Sequence, residues 1–158
     1  MNVELINPFI NATVNALSTM AQISPRRGIP YIKKEDDVTM GDISAVIGIT
    51  GKITGWAAVS FQKKTVLKIA TNMLSEEKAF IDAMVRDAVG EIVNMIAGGA
   101  KGELSQKGFS FKIAIPTVIV GENHILSQKK DVPCIAVPFT TDSGEFTVEV
   151  CLKEENVS

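Results

Sequence analysis

Two alternating runs near the end of the chain, at 133–140 and 145–152, constrain the fold more than any other feature. If residues 141–144 form the turn between them, the bulky apolar residues of both runs fall on one face of a hairpin. The pairs on that face are Phe139 with Phe146, Val137 with Val148 and Ile135 with Val150, and those on the other face are Pro138 with Thr147, Ala136 with Glu149 and Cys134 with Cys151. A shift by one residue would turn every apolar side chain to the wrong face, so the pattern predicts this hairpin in this register.

The rest of the chain carries helical and alternating apolar patterns that are bounded by Gly, Pro and Ser. They predict an N-terminal helix within 3–22 whose regular part begins near Pro8, helices at 63–74 and 76–107, and strands at 29–34, 42–49, 53–61, 109–115 and 117–121. The long helix is predicted to begin after Ser75, whose hydroxyl would cap it, and to end at Gly108. The predicted fold class is therefore α+β: an antiparallel β-sheet with long helices packed on one face, in a single domain of residues 1–158.

Composition and charge exclude several classes of function. The formal net charge of −2 lacks the basic surplus of a nucleic-acid-binding surface. No apolar run approaches the roughly 20 residues of a membrane span, and the first residues do not resemble a secretory signal, so the cytoplasm is the predicted location. His124 is the only histidine and is placed in an exposed polar loop, so no metal site is expected. Cys134 and Cys151 are predicted to be free thiols, because a cytoplasm is reducing.

A sequence repeat links the two long helices. Glu4-x-x-Asn7 in the first helix matches Glu91-x-x-Asn94 in the second, and Leu17-Ser18 matches Leu104-Ser105, each at an offset of 87 residues. Since each copy is a helix that leads into β structure, the pattern indicates an internal two-fold repeat. The first Glu/Asn pair stands at the start of the chain and is followed by Pro8, so we expect it to be inactive.

The long helix carries a polar line beside its apolar stripe. Asp87, Glu91 and Asn94 lie at positions i, i+4 and i+7, about 120° from the centre of the stripe. The predicted stripe consists of Ile81, Met84, Val85, Ala88, Ile92, Met95 and Ile96. By spacing alone, an ordinary solvated helix face explains the polar line. Gly90 favours close approach of another backbone, whereas Gly98 and the later glycines favour tight packing against the sheet or an early helix end.

The run Asp87-Ala-Val-Gly-Glu91-Ile-Val-Asn94-Met-Ile-Ala-Gly98 resembles the signature of the CheC/CheX/FliY family of chemotaxis phosphatases. The order of elements is similar over nearly the whole chain, as are the phrases VIGITGKITG at 46–55 and PTVIVG at 116–121. The single signature and the length of 158 residues resemble the CheX branch, since CheC has two signatures and FliY carries extra domains.

The resemblance implies an enzyme that accelerates hydrolysis of the aspartyl phosphate on a CheY-like response regulator. That partner would hold Mg²⁺, a lysine and the phosphoryl group, so this chain would need no cofactor of its own. Asn94 would orient the attacking water, because an amide both donates and accepts hydrogen bonds. Glu91 would pair with the partner's active-site lysine, and Asp87, Gly90 and Gly98 would contact the partner.

Two other functions stay open on the sequence: a module of the same fold that binds a receiver domain or a flagellar-switch component without hydrolysis, and a dimeric scaffold. The resemblance also implies a homodimer joined through sheet edges. The strand 145–152 carries no proline and is a candidate pairing edge, whereas Pro133 and Pro138 make 133–140 a poor one; the sequence does not decide which strand forms the seam.

Overall fold

The computed structural model describes residues 3–34, 37, 40–127 and 131–155. It is an α+β structure, as predicted, with helices on one face of an antiparallel sheet. The helices are α1 (Val3–Ala21), α2 (Lys63–Leu74) and α3 (Ala83–Gln106). The strands are β1 (Arg26–Arg27), β2 (Tyr31–Ile32), β3 (Met40–Gly51), β4 (Ile53–Phe61), β5 (Phe111–Ile113), β6 (Thr117–Ile125), β7 (Cys134–Thr141) and β8 (Gly144–Glu154).

The strands of the described residues form one sheet in the order β1–β7–β8–β4–β3–β5, in which β2 also pairs with β7 and β6 also pairs with β3. The hairpin of β7 and β8 has the predicted register, from Cys134 opposite Cys151 to Phe139 opposite Phe146. Because β8 pairs with β4 on one side and β7 on the other, it lies inside the sheet. The candidate strand 145–152 is therefore not an open edge.

The core lies between the sheet and the helices. Its largest fully buried side chains come from both layers, and include Phe9, Leu17, Ile43, Ile47, Phe61, Ile69, Ile92, Ile96 and Phe139. Helix α1 crosses α3 closely: a Cβ atom on Gly99 would lie only 2.9 Å from the Cβ of Ala12. A larger residue at 99 would push the two helices apart. No helix in the described part of the chain has both the length and the apolar content that a membrane crossing requires.

Two predicted helix starts are wrong. Helix α1 begins at Val3 and continues through Pro8, which lies in its second turn and so removes only the hydrogen bond to the carbonyl of Glu4. Helix α3 begins at Ala83, where the side chain of Asp82 accepts a hydrogen bond from the N–H of Val85 at 2.9 Å. Ser75 ends α2 in the left-handed conformation (φ 53°) and does not begin the next helix.

The link between α2 and α3 is held by Lys78. Its backbone N–H donates to Thr71 Oγ1 at 3.0 Å, and its Nζ lies 3.0 Å from Asp82 Oδ2. The hydrogen bond to Asp82 raises the pKa of Lys78. The hydrogen bond from Val85 N–H, followed by that from Lys78, lowers the pKa of Asp82. One carboxylate thus caps α3 and anchors the segment before it.

We expect Asp82→Ala to lower the melting temperature at neutral pH, because the N–H of Val85 loses its acceptor. A carboxyl group whose pKa is lower in the folded protein stabilises the fold fully above its unfolded pKa of about 3.9 and loses that contribution as the pH falls through the folded value. Thermal unfolding of both proteins at pH 7, and in steps below about pH 4, should show the difference shrinking. A difference that is the same across the series would contradict the assignment.

Cys134 and Cys151 form a disulfide, so the prediction of free thiols is wrong for this structure. The prediction that they are cross-strand neighbours is confirmed. Both side chains are buried on the sheet face opposite the core cluster, and their Cα atoms are 4.0 Å apart. Free thiols were predicted because a cytoplasm is reducing, although the β7–β8 register brings the two cysteines within bonding distance.

The arrangement of strands and helices has the approximate two-fold symmetry that an internal repeat would produce. β4 and β8 pair at the centre of the sheet, β3 and β7 lie outside them, and β6 and β2 lie outside those. Ala12 and Gly99, the residues in contact where α1 crosses α3, are also 87 positions apart. The internal repeat itself stays a prediction.

Candidate functional site

The polar line on α3 faces away from the core, as predicted. Asp87 and Glu91 are exposed and Asn94 is half-buried. The buried residues of the same helix are Val85, Ala88, Val89, Ile92, Val93, Ile96, Ala97, Ala100 and Leu104. The predicted stripe is wrong at Met84, which is 44% exposed, whereas Ile81 packs against the core as predicted but precedes the helix.

Neither the Glu91 carboxylate nor the Asn94 amide has a hydrogen-bond or ion-pair partner within the described part of the chain. Both side chains project from the middle of a 24-residue helix that is packed on the core along its other face. The site therefore offers one carboxylate and one amide on a rigid support, with their hydrogen-bonding capacity unused by the fold.

On one side of the polar line lies a groove, called here the β-side groove. Its α3 wall contains Asp87, Gly90, Glu91 and Asn94, and the opposite wall is formed by 113–116 and Val118. A Cβ atom on Gly90 would lie 3.5 Å from Cγ2 of Val118, which is ordinary contact distance. No backbone of the described chain requires glycine at 90, so close approach of a partner backbone stays a prediction.

On the other side of Asn94 lies a second groove, between α1 and α3. It is lined by the amides of Asn11 and Asn15, and by Gly98 among others. A Cβ atom on Gly98 would have no neighbour within 4 Å, and α3 continues past it to Gln106. Tight packing and an early helix end are therefore both wrong for Gly98. Asn94 lines both grooves, so it is accessible from either side.

The N-terminal pair also lies on a helix. Glu4 and Asn7 are both exposed on α1, which already begins at Val3. Pro8 lies inside α1 and does not deprive this pair of a helix face, so that reason for expecting inactivity is wrong. Its inactivity stays a prediction.

His124 was predicted to lie in an exposed loop, but it lies in β6. Its Nε2 is 2.6 Å from the hydroxyl of Ser44, and its Nδ1 is 2.7 Å from the carbonyl of Gly121. Ser44 is fully buried and also bonds to Ser60 at 2.7 Å. The imidazole is therefore held by the sheet, and no group of three or more metal-ligating side chains occurs among the described residues.

Sequence reasoning missed the wall of the β-side groove opposite α3. Ile115 and Pro116 lie in the connection between β5 and β6, and they contribute to this wall. Ile115 is 90% exposed. In the sequence, the sign of this wall is an isoleucine before a proline in a short connection. Only the tertiary structure shows that Ile115 lies across the groove from Glu91.

Comparison with known proteins gives one consistent family. The family model described as "Chemotaxis phosphatase CheX" matches residues 43–140. The CheY-P phosphatase CheX of Thermotoga maritima is 30% identical over 124 residues, which cover 78% of this chain and 79% of that protein. The crystal structure of a chemotaxis protein CheX from Desulfovibrio desulfuricans is 45% identical, with a TM-score of 0.88 over 97% of this chain and 100% of that one.

A further similar structure is the CheX–CheY–BeF₃–Mg²⁺ complex from Borrelia burgdorferi. Its matching chain is 29% identical, with a TM-score of 0.82 over 97% of this chain and 100% of that chain. The family match extends over more than half of the sequence, and the fold agrees over nearly all of it. The chain therefore belongs to the CheX family of chemotaxis phosphatases and is itself a phosphatase.

Proposed function

We propose that this protein hydrolyses the aspartyl phosphate of a CheY-like receiver domain, with Asn94 orienting the attacking water and Glu91 pairing with the receiver's active-site lysine. The observation that carries the proposal is the pair itself. Glu91 and Asn94 lie on one exposed helix face, and no group in the described part of the chain engages either side chain.

The chemistry asks little of this chain. Phosphoryl transfer is catalysed mainly by positioning and by electrostatic stabilisation, and in a receiver domain the metal and the lysine already lie at the phosphoryl group. What remains is to hold a water molecule in line with the phosphorus–oxygen bond that breaks. The Asn94 amide can accept a hydrogen bond from that water and donate one to a phosphoryl oxygen, without changing its protonation state.

The Borrelia complex supports this division of labour, since it contains CheX, CheY, BeF₃ and Mg²⁺ together. Trifluoroberyllate on an aspartate mimics the phosphoryl group, so that assembly corresponds to a phosphatase on its activated substrate. By analogy, Mg²⁺ belongs to the receiver and not to this chain. Asp87, Gly90 and Gly98 border Glu91 and Asn94 along the two grooves, and we include them in the proposed contact surface on that ground.

The decay of phosphorylated receiver, with and without this protein, tests the proposal. We expect decay to accelerate in proportion to the enzyme at substoichiometric amounts, because each molecule turns over repeatedly. If the protein binds the activated receiver and leaves its decay unchanged, it is a binding module and the proposal is wrong. If it neither binds nor accelerates decay, the scaffold alternative remains.

We also propose that the protein is a homodimer joined through the open edge at β6. Among the described residues, β6 pairs only with β3, runs for nine residues and contains no proline. At the opposite side of the sheet, β1 and β2 are two residues each and are separated by Pro30. The pairing of β6 with β3 is interrupted by a bulge between Val120 and His124, but β6 is still the longer of the two edges. A longer edge is the better template for pairing with a second copy.

Light scattering at micromolar concentration should therefore report about twice the 17.0 kDa chain mass. Val120→Lys, on β6, should shift the protein toward the monomer mass, because a charge on an edge strand opposes pairing. A wild-type protein that runs as a monomer at all concentrations would contradict the dimer, but it would leave the catalytic proposal intact.

A further inference from the structure

Ile115 is the most exposed of the large apolar side chains in the described part of the chain. Its relative exposure is 90%, and the next is Ile29 at 85%. A single exposed isoleucine is common on protein surfaces, and by itself indicates nothing. The position of Ile115 is what separates it from Ile29.

Ile115 lies on the wall of the β-side groove that faces Glu91 and Asn94. The α3 wall is polar, with two carboxylates and the guanidinium of Arg86, whereas the Ile115–Pro116 wall is apolar. Asn94 lines both grooves, but Glu91 lines only this one. A partner that engages Glu91 and Asn94 together therefore enters between these walls, and it removes Ile115 from water when it docks. Ile29 lies beside β7, on the opposite half of the sheet from β6.

The connection that carries Ile115 is rigidly held. Before it, Ile113 pairs with Ile49, and the N–H of Ala114 donates to the carbonyl of Gly48 at 3.0 Å. After it, Pro116 fixes its own φ and confines Ile115 to extended conformations, and Thr117 resumes the sheet opposite Val46. A side chain presented by such a short, anchored connection loses little conformational entropy on binding.

We propose that Ile115 is an apolar anchor that binds the receiver domain beside its phosphorylated aspartate. This inference rests on the proposed function, because it assigns the occupant of the β-side groove. Residues that contribute most to affinity lie in desolvated pockets near the centre of the contact, and an aliphatic side chain seated in such a pocket can serve as the anchor. Ile115 fits this description because it lines the same groove as Glu91 and Asn94.

The test is Ile115→Ser, with Ile29→Ser as the matched control. The two isoleucines have nearly equal exposure, and each directly precedes a proline. Burial of one isoleucine side chain corresponds to a roughly 10- to 100-fold change in affinity. We expect Ile115→Ser to raise the Kd for receiver activated with beryllofluoride and Mg²⁺, and the KM for phosphorylated receiver, by that factor. The value of kcat should not change, because the lost contact is the same in the ground and transition states.

Ile29→Ser should bind and turn over like wild type, and Ile115→Val should retain most of the affinity. Equal binding by Ile115→Ser and wild type, or an equal loss in Ile29→Ser, overturns the anchor. If Ile115→Ser changes the mass in light scattering and leaves receiver binding unchanged, the anchor is also overturned, and this wall is assigned to a second copy of the chain.

The two proposals can fail separately. If wild type binds the activated receiver without accelerating decay, the proposed function fails, and the binding measurements alone decide the role of Ile115. If wild type accelerates decay and Ile115→Ser does so with an unchanged KM, only the anchor fails. A wild-type protein that does not bind the activated receiver overturns both.

Discussion

Asn94→Ala is expected to lower kcat for hydrolysis of phosphorylated receiver by at least about 100-fold, which corresponds to about 3 kcal/mol of transition-state free energy. The amide would be the group of this chain that touches the attacking water, and nothing else on the described α3 surface can replace it. The side chain is half-buried on the rim of two grooves and has no partner within the described part of the chain. The fold should therefore be unaffected, and the Kd for activated receiver should change far less than kcat.

Two variants sharpen this experiment. Asn94→Asp keeps the size of the side chain but removes its donor and places a negative charge beside the phosphoryl group, so it should be as inactive as Asn94→Ala. Asn7→Ala removes the matching amide on α1, and we expect it to retain wild-type kcat. Near wild-type hydrolysis by Asn94→Ala would remove the central assignment. A loss in Asn7→Ala as large as that in Asn94→Ala would mean that both Glu/Asn pairs are active.

Local patterns predicted those parts of the structure that depend on neighbours in sequence. Helix α2 has the predicted bounds, 63–74, and the β7–β8 register is correct at every predicted pair. The polar line on α3 is exposed as its spacing indicates, because helical periodicity alone places Glu91 and Asn94 away from the stripe. A hairpin register or an exposed helix face can therefore be predicted from the local sequence, without the rest of the fold.

The predictions that failed depend on contacts between distant segments or on competing local signals. Ser75-Glu76-Glu77 has the composition of a helix start, but Asp82 caps α3 instead, in a segment that Lys78 ties to Thr71 and to Asp82. The interior position of β8 follows from its pairing with β4, about 90 residues earlier in the chain, and no alternation pattern reveals a non-local pair. The exposure of Ile115 beside Glu91 arises in the same way.

Glu91→Ala is expected to weaken binding of the activated receiver and to slow turnover together. In the proposed complex the Glu91 carboxylate pairs with the receiver's lysine in a contact from which water is excluded, and removing one member of such a pair costs about 2–5 kcal/mol. A pair of this kind is screened less by salt than a surface pair, so the loss of affinity should persist as the ionic strength is raised.

Glu103→Ala is the matched control for Glu91→Ala, because Glu103 is a carboxylate on the same helix, 39% exposed, that forms an i,i+4 ion pair with Lys107 at 3.9 Å. It lines the far end of the groove between α1 and α3, more than three helical turns beyond Glu91, and lies outside the β-side groove. A surface pair of that type contributes about 0–1 kcal/mol, so Glu103→Ala should bind and turn over like wild type. Glu91→Gln separates charge from shape: it keeps the length of the side chain and loses the ion pair, so it should resemble Glu91→Ala in affinity. If Glu91→Ala and Glu103→Ala are both indistinguishable from wild type in Kd and kcat, Glu91 is solvated surface, and Asn94 acts without a charged partner beside it.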